Sequence, residues 1–302
     1  MGLLVNLGEK KSLTFASTDV RGISLVSYWS RASENGGTGD SNVEGIDWSR
    51  VYINVVLNQG GKSTQICATT VKPLAQHLNF LNQSWLFCAN GQGGQPYDQN
   101  TGTSIGDAML DFGSVINLRG DDSLVCEIRV QSDAVSSAVN PTTAYVEADV
   151  IEGVGLQYIT PKFETFAING GESKFSHSLG ANVTAVTLQN IASRPQISFE
   201  TSPWQNARLF SDRYNVNDDW GQLWSRRNQY FDGDFYRYQS FVLSLETTDD
   251  TQVQLDLFPS NNTTNENYLC YTSYETCEKL VVEASRRSKK HEAKAIRKIK
   301  KG

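Results

Sequence analysis

A chain of 302 residues is long enough to bury one or two cores, and 39% apolar with 20% charged residues excludes wholesale disorder. No apolar run approaches the ~18 residues of a membrane-crossing helix. The net charge of −6 conceals two opposite parts: residues 1–285 carry 18 basic and 32 acidic groups, whereas residues 286–302 carry nine basic and one acidic.

The first elements in the chain read as short strands. Ser12–Ala16 and Ile23–Trp29 form the first pair, and in the second of these Ile23, Leu25, Ser27 and Trp29 share one face. Residues 32–46, rich in Gly, Asn, Ser and Asp, read as an exposed loop. Val51–Leu57 is joined by Asn58-Gln59-Gly60-Gly61 to Thr64–Thr70, the signature of a hairpin. After Pro73 a short helix is expected over Leu74–Leu81, with Leu74, Leu78 and Leu81 on one side. Trp85–Ala89 is strand-like, residues 90–106 are a Gly-rich loop, and Leu110–Leu118 and Leu124–Val130 complete the first set. Residues 131–155 read as a connection in which Tyr145–Val150 adds a strand.

In the second half, strands are expected near 156–167, 173–179, 183–189, 195–200, 239–247 and 251–258. The span 202–238 reads as a long insertion crowded with aromatic residues, with a short helix over Asp219–Asn228. Beyond Pro259 a polar turn region leads to Tyr268–Tyr274, and a helix is expected from Cys277, with Ile296 and Ile299 on a basic segment.

The two halves echo each other. Gly8-Glu9-Lys10-Lys11 and Gly171-Glu172-Ser173-Lys174 open them, and each is followed at the same spacing by a strand starting at Val20 or Val183. Asp121-Asp122-Ser123 and Asp249-Asp250-Thr251 each precede a closing strand.

The search for chemistry finds no phosphate loop, dinucleotide fingerprint, nucleophile elbow or metalloprotease pair. Gly91-Gln92-Gly93-Gly94 lacks the following Lys and the strand–helix context of a phosphate loop. His77, His177 and His291 lie about a hundred residues apart along the chain, so a shared metal site is not expected. The Asp-Asp pairs suit a structural divalent cation or, more simply, turns in which the carboxylates bind backbone amides. Asp218-Asp219 and Asp232-Asp234, beside Trp220 and Tyr236, suit a glycan surface. Cys67, Cys88 and Cys126 read as buried hydrophobes, while Cys270 and Cys277 are spaced to pair or to remain free. No basic-apolar leader is visible at the N-terminus, so no secretory signal is expected.

With its two β-rich halves, its Gly-Glu-x-Lys openings and its Asp-Asp-Ser/Thr closings, the chain resembles the double jelly-roll major capsid proteins of tailless icosahedral, internal-membrane-containing bacteriophages. The resemblance implies an all-β fold of two tandem eight-stranded antiparallel jelly rolls, with short helices and a C-terminal basic helix or tail. The expected divisions are residues 1–140, residues 141–258 with the 202–238 insertion, and an extension over 259–302. The implied function is a non-enzymatic virion protein, made in the host cytoplasm and without a cofactor. It would assemble as a homotrimer with a pseudo-hexagonal outline, and trimers would tile a shell. Its partners would be neighbouring capsomers, minor or vertex proteins and the internal membrane, with genome contact less favoured. Trp204, Trp220, Trp224, Arg226, Arg227 and Tyr236 are the expected subunit contacts, since Trp, Tyr and Arg dominate interface hot spots. Arg286, Arg287, Lys289, Lys290, Lys294, Arg297, Lys298, Lys300 and Lys301 are the expected membrane-facing cations. Two other readings stay open: a carbohydrate-binding or glycan-processing tandem β sandwich, and a phage spike or receptor-binding protein.

Overall fold

A computed structural model describes residues 2–30, 45–82, 97–98, 103–137, 139–190, 202–213, 215–223, 240–244, 249–263 and 265–276. In chain order, the first half holds β1 (Leu3–Asn6), β2 (Lys10–Ala16), β3 (Asp19–Ser30), β4 (Val51–Gln59), β5 (Lys62–Thr70), α1 (Val71–Asn82), β6 (Tyr97–Asp98), β7 (Thr103–Asn117), β8 (Ser123–Val130) and β9 (Tyr145–Glu152). The second half holds β10 (Ile159–Ile168), β11 (Lys174–Gly180), β12 (Val183–Asn190), β13 (Trp204–Phe210), β14 (Asn215–Asp219), β15 (Ser240–Ser244), β16 (Thr251–Leu257) and β17 (Asn267–Thr276).

These strands form four antiparallel sheets. Their orders are β1-β9-β3-β7-β6 and β2-β8-β4-β5 in the first half, and β10-β17-β12-β15 and β11-β16-β13-β14 in the second. With the two-residue β6 set aside, the two pairs of sheets have the same order strand for strand: first–eighth–third–sixth in one sheet, second–seventh–fourth–fifth in the other. This is a jelly-roll-like arrangement. The sequence explains the strands through their alternation: β4 buries Val51, Ile53, Val55 and Leu57, and β16 buries Val253, Leu255 and Leu257. Each half has its own apolar core.

The opening echo is one turn used twice. Asn6-Leu7-Gly8-Glu9 and Asn169-Gly170-Gly171-Glu172 each close with an N–H from the Glu to the Asn carbonyl, at 3.1 and 3.3 Å. Gly8 and Gly171 take φ of 76° and 85°, the left-handed third position of a type II turn. In both turns the Asn side-chain amide donates to the Glu carboxylate, at 3.0 and 2.9 Å. The closing echo leads into equivalent strands, β8 and β16, but through different bonds. The Asp122 carboxylate accepts from the N–H groups of Gly60 and Arg119, while the Thr251 hydroxyl donates to the Asp249 carbonyl.

Several elements differ from the sequence expectation. The 202–238 span is not an insertion alone, because its first part supplies β13 and β14, two strands of a sheet. The helix expected over Asp219–Asn228 is present at residues 220–223, and its remainder lies outside the described residues. The latter part of the expected 90–106 loop contains β6 and the start of β7. β9 follows the expected boundary at 140 yet pairs with β1 and β3, and β17 lies in the expected extension yet pairs with β10 and β12. The expected strands at 85–89 and 195–200 lie outside the described residues.

Candidate assembly surfaces

The two halves meet along β10, which runs beside β5 and β7 and carries α1 against it. Helix α1 shows an apolar stripe in sequence, yet Val71 to Leu78 are all buried, including Lys72, Gln76 and His77. The reason is the second half, which covers the polar side as well. His77 Nδ1 lies 2.8 Å from the Thr187 hydroxyl on β12, and Nε2 lies 2.7 Å from the Thr272 hydroxyl on β17. A neutral imidazole, one nitrogen donating and the other accepting, satisfies both hydroxyls. Burial pushes the His77 pKa down to about 3, so the ring is uncharged at neutral pH. Phe163 of β10 packs into the first core, 5.8 Å from the Phe112 ring and 6.4 Å from His77. The hydroxyls of Thr69 and Thr165 bond directly across the junction.

A second set of contacts holds the linker between β9 and β10. Gln157 is 2% exposed and is bonded on all sides: its backbone N–H donates to Asn117, its amide donates to Gln59 and Thr160, and its carbonyl oxygen accepts from Gln59 and the Asn117 N–H. Nearby, Glu275 accepts from both Lys62 and Lys162, which hold its carboxyl below the usual range. Arg21 pairs with Asp111, and Arg119 with Asp19.

These contacts gather at one end of the molecule. The pairings Asp19↔Asn117, Val20↔Glu152, Gln59↔Lys62 and Ile159↔Thr276 place the linker, three short turns and the end of β17 together there. The opposite ends of β3, β12 and β14, at Ser30, Asn190 and Asp219, point the other way.

The sequence-selected residues divide as follows. Trp204 is 1% exposed in the second core, so it presents almost no surface to a neighbour, and its indole N–H has no hydrogen-bond partner among the described residues. Trp220 is half-buried, edge-on to Phe258 at 6.4 Å. Trp224, Arg226, Arg227, Tyr236 and the basic residues from Arg286 to Lys301 lie outside the described residues, as do Asp232, Asp234, Gly91 to Gly94 and His291. Asp219 caps the turn that follows it: its carboxylate accepts from the Gln222 N–H at 3.0 Å and its own N–H donates to Gln222 Oε1 at 2.8 Å. His177 lies between Phe166 and Phe175, with ring centroids at 3.9 and 6.3 Å. Cys67, Cys126 and Cys270 are free and buried, and burial pushes the Cys126 thiol up to about 12. Among the described residues no group of three or more His, Cys, Asp or Glu is placed to hold a metal ion, and no helix is long and apolar enough to cross a membrane. Sequence reasoning missed His77 and Gln157 as junction residues, because their partners lie about 110 and 98 residues away. The one signal available was polar residues on a helix that otherwise reads as core.

The class defined by this geometry is a β protein of two like, closely joined units. No protein-family model matches the sequence, and no curated protein does. Among solved structures, the fold is similar to that of the major capsid protein of STIV, with a TM-score of 0.59 at 15% identity over 91% of this chain and 94% of that one. It is similar to a chain of the Sulfolobus Turreted Icosahedral Virus structure, with a TM-score of 0.57 at 16% identity over 91% of this chain and 89% of that one. The major capsid protein P2 of bacteriophage PM2 matches at a TM-score of 0.46 and 10% identity, over 91% and 97% of the two chains. The first two likenesses show that the chain shares the fold of those two chains along almost its whole length.

Proposed function

We propose that this chain is a major capsid protein, a double jelly roll that assembles as pseudo-hexagonal homotrimers tiling an icosahedral shell. The observation that carries the reading is the repetition: two units with the same strand order and the same opening turn, fixed to each other by a buried junction. A first unit at 2–152 and a second at 159–276 fit the pairings. Two like units per chain make a three-fold ring of chains approximate six-fold symmetry, and the junction inside one chain is a template for the contact between chains. The fold likeness to the STIV major capsid protein supports the same role. In this reading the protein is structural rather than enzymatic and resides in the virion. It meets its own copies, minor or vertex proteins and an internal membrane, the last through the basic C-terminal segment.

Size-exclusion chromatography with light scattering tests the proposal. From 33.5 kDa per chain, a trimer gives about 100 kDa. A strict monomer at all concentrations overturns it.

A further inference from the structure

The polar side of α1 is enclosed at the junction, yet two of its side chains find nothing to bond. Lys72 is 5% exposed and Gln76 is 3% exposed. Lys72 takes part in none of the ion pairs formed among the described residues. Neither Nε2 nor Oε1 of Gln76 has a hydrogen-bond partner among them. On the facing strand β12, Gln189 is fully buried; its Nε2 donates to the Thr187 hydroxyl at 2.9 Å, and its Oε1 has no partner among the described residues. The rest of this junction is matched: His77, next to Gln76 in the chain, has a hydroxyl on each ring nitrogen. A buried carboxamide without partners is costly, and a buried ammonium without a counter-charge is more so.

Helix geometry brings these groups together. Residues four apart share a helix face and their side chains lean toward the N-terminus, so the Gln76 carboxamide reaches back over the turn that holds Lys72. That turn is seated on the second unit, with the Pro73 carbonyl 3.9 Å from Cys270 Sγ. It is also the first turn of a 12-residue helix, and no acidic side chain stands in it. Its N–H groups lack partners within the helix and carry the positive end of the dipole. The ammonium, the Nε2 donor and the helix end all favour an anion. Gln76 Oε1 needs a donor instead, as does Gln189 Oε1 across the junction. A halide satisfies the first need and leaves the second unmet. An oxyanion that keeps a proton at neutral pH accepts from the ammonium and the amide and donates to a carbonyl oxygen.

We propose that Lys72, Gln76 and the N-terminal turn of α1 bind a small protonated oxyanion, inorganic phosphate being the simplest case, enclosed between the two units. Lys72 supplies the counter-charge, Gln76 Nε2 donates to one oxygen, and Gln76 Oε1 accepts from the hydroxyl of the anion. The anion binds only when the units are docked, so it strengthens the joint between them. The site lies within one chain and does not depend on the capsid reading.

The test follows thermal unfolding of the full chain near neutral pH in about 20 mM sodium phosphate, and in sodium chloride or sodium sulfate of equal ionic strength, because a ligand of the folded state alone raises its unfolding temperature. Sulfate reports the general stabilisation by excluded anions and carries no proton under these conditions. Phosphate should raise the unfolding temperature of the wild type by about 4 °C more than sulfate does. In Lys72→Met and Gln76→Leu, which keep the side chains close to their original size, this excess should vanish. An equal excess in wild type and both variants overturns the proposal, and so does a chloride or sulfate effect as large as that of phosphate. Equilibrium dialysis of the wild type with radiolabelled inorganic phosphate needs no variant to fold: about one phosphate per chain should be retained, and about tenfold more tightly than by Lys72→Met where that variant folds. No retained phosphate is the contrary result. Glycerol 2-phosphate should not be retained, since the enclosed side chains leave no path for its organic part; retention equal to that of phosphate overturns the assignment to a free anion.

Discussion

His77 shows how a single side chain joins the two units. Its ring is enclosed between α1, β12 and β17, with a hydroxyl on each nitrogen, and burial disfavours its charged form. The folded pKa of about 3 lies below the ordinary 6.5, so the unfolded chain takes up a proton that the folded chain refuses. Stability is therefore complete above pH 6.5 and falls as the pH drops from 6.5 towards 3. At pH 5 the loss from this group is about 2 kcal/mol. Urea unfolding of wild type and His77→Gln at pH 7.5 and pH 5 checks this: the wild type should lose about 2 kcal/mol more than the variant across that interval. Parallel losses would show that His77 does not titrate in the unfolding transition. Phe163 makes the apolar counterpart. It is 2% exposed and packs across the junction into the first core, so Phe163→Ala should cost about 3–5 kcal/mol in the same measurement.

The repeated turn is the clearest case in which an element was legible in the residues themselves. Gly8 and Gly171 face open space or only a Ser132 Cβ at 3.8 Å, so an added methyl meets no clash and the penalty is conformational. Gly8→Ala and Gly171→Ala should each cost about 1–2 kcal/mol, and the double variant should lose close to the sum. A cost at only one position would show that the two turns are not equivalent in energy. The hairpin at Gly60-Gly61 and the alternating strands β4, β8 and β16 were legible for similar reasons: turn chemistry and period-two burial are local. β13 and β14 were not. Trp204-Gln205-Asn206-Ala207-Arg208-Leu209-Phe210 breaks clean alternation, with Ala207 buried and Asn206 only half-buried, and its aromatic density suggested an insertion. Partner choice was equally hidden. Nothing local in Tyr145–Glu152 says that it pairs with β1 and β3, because that depends on long-range sheet order. Of the expected subunit contacts, Trp204 proved to be core, since an aromatic residue reads alike in sequence whether it packs inward or against a neighbour.

For the whole molecule, the charge asymmetry and the polarity of the fold belong together. The acidic body ends at β17, and the basic segment follows it from the end that carries the linker. Removal of residues 286–302 should leave the mass by light scattering equal to that of the full chain's assembly, and weaken binding to anionic vesicles most strongly at low salt, where exposed charges are least screened. Unchanged low-salt binding after truncation would remove the basic segment from membrane attachment. Light scattering and flotation on the same preparation separate assembly from attachment.

The crowding of short turns at the linker end also constrains descent. Gln59, Asn117, Asp122 and Gln157 bond to one another there, so a residue inserted into any of these turns would disturb several others at once. The far ends of β3 and β12, at Ser30 and Asn190, lie away from this cluster of bonded turns. Lineages of this fold should therefore keep one end nearly constant in length while the other lengthens and diversifies, and a foreign peptide grafted after Ser30 or Asn190 should be carried on the face turned away from the linker.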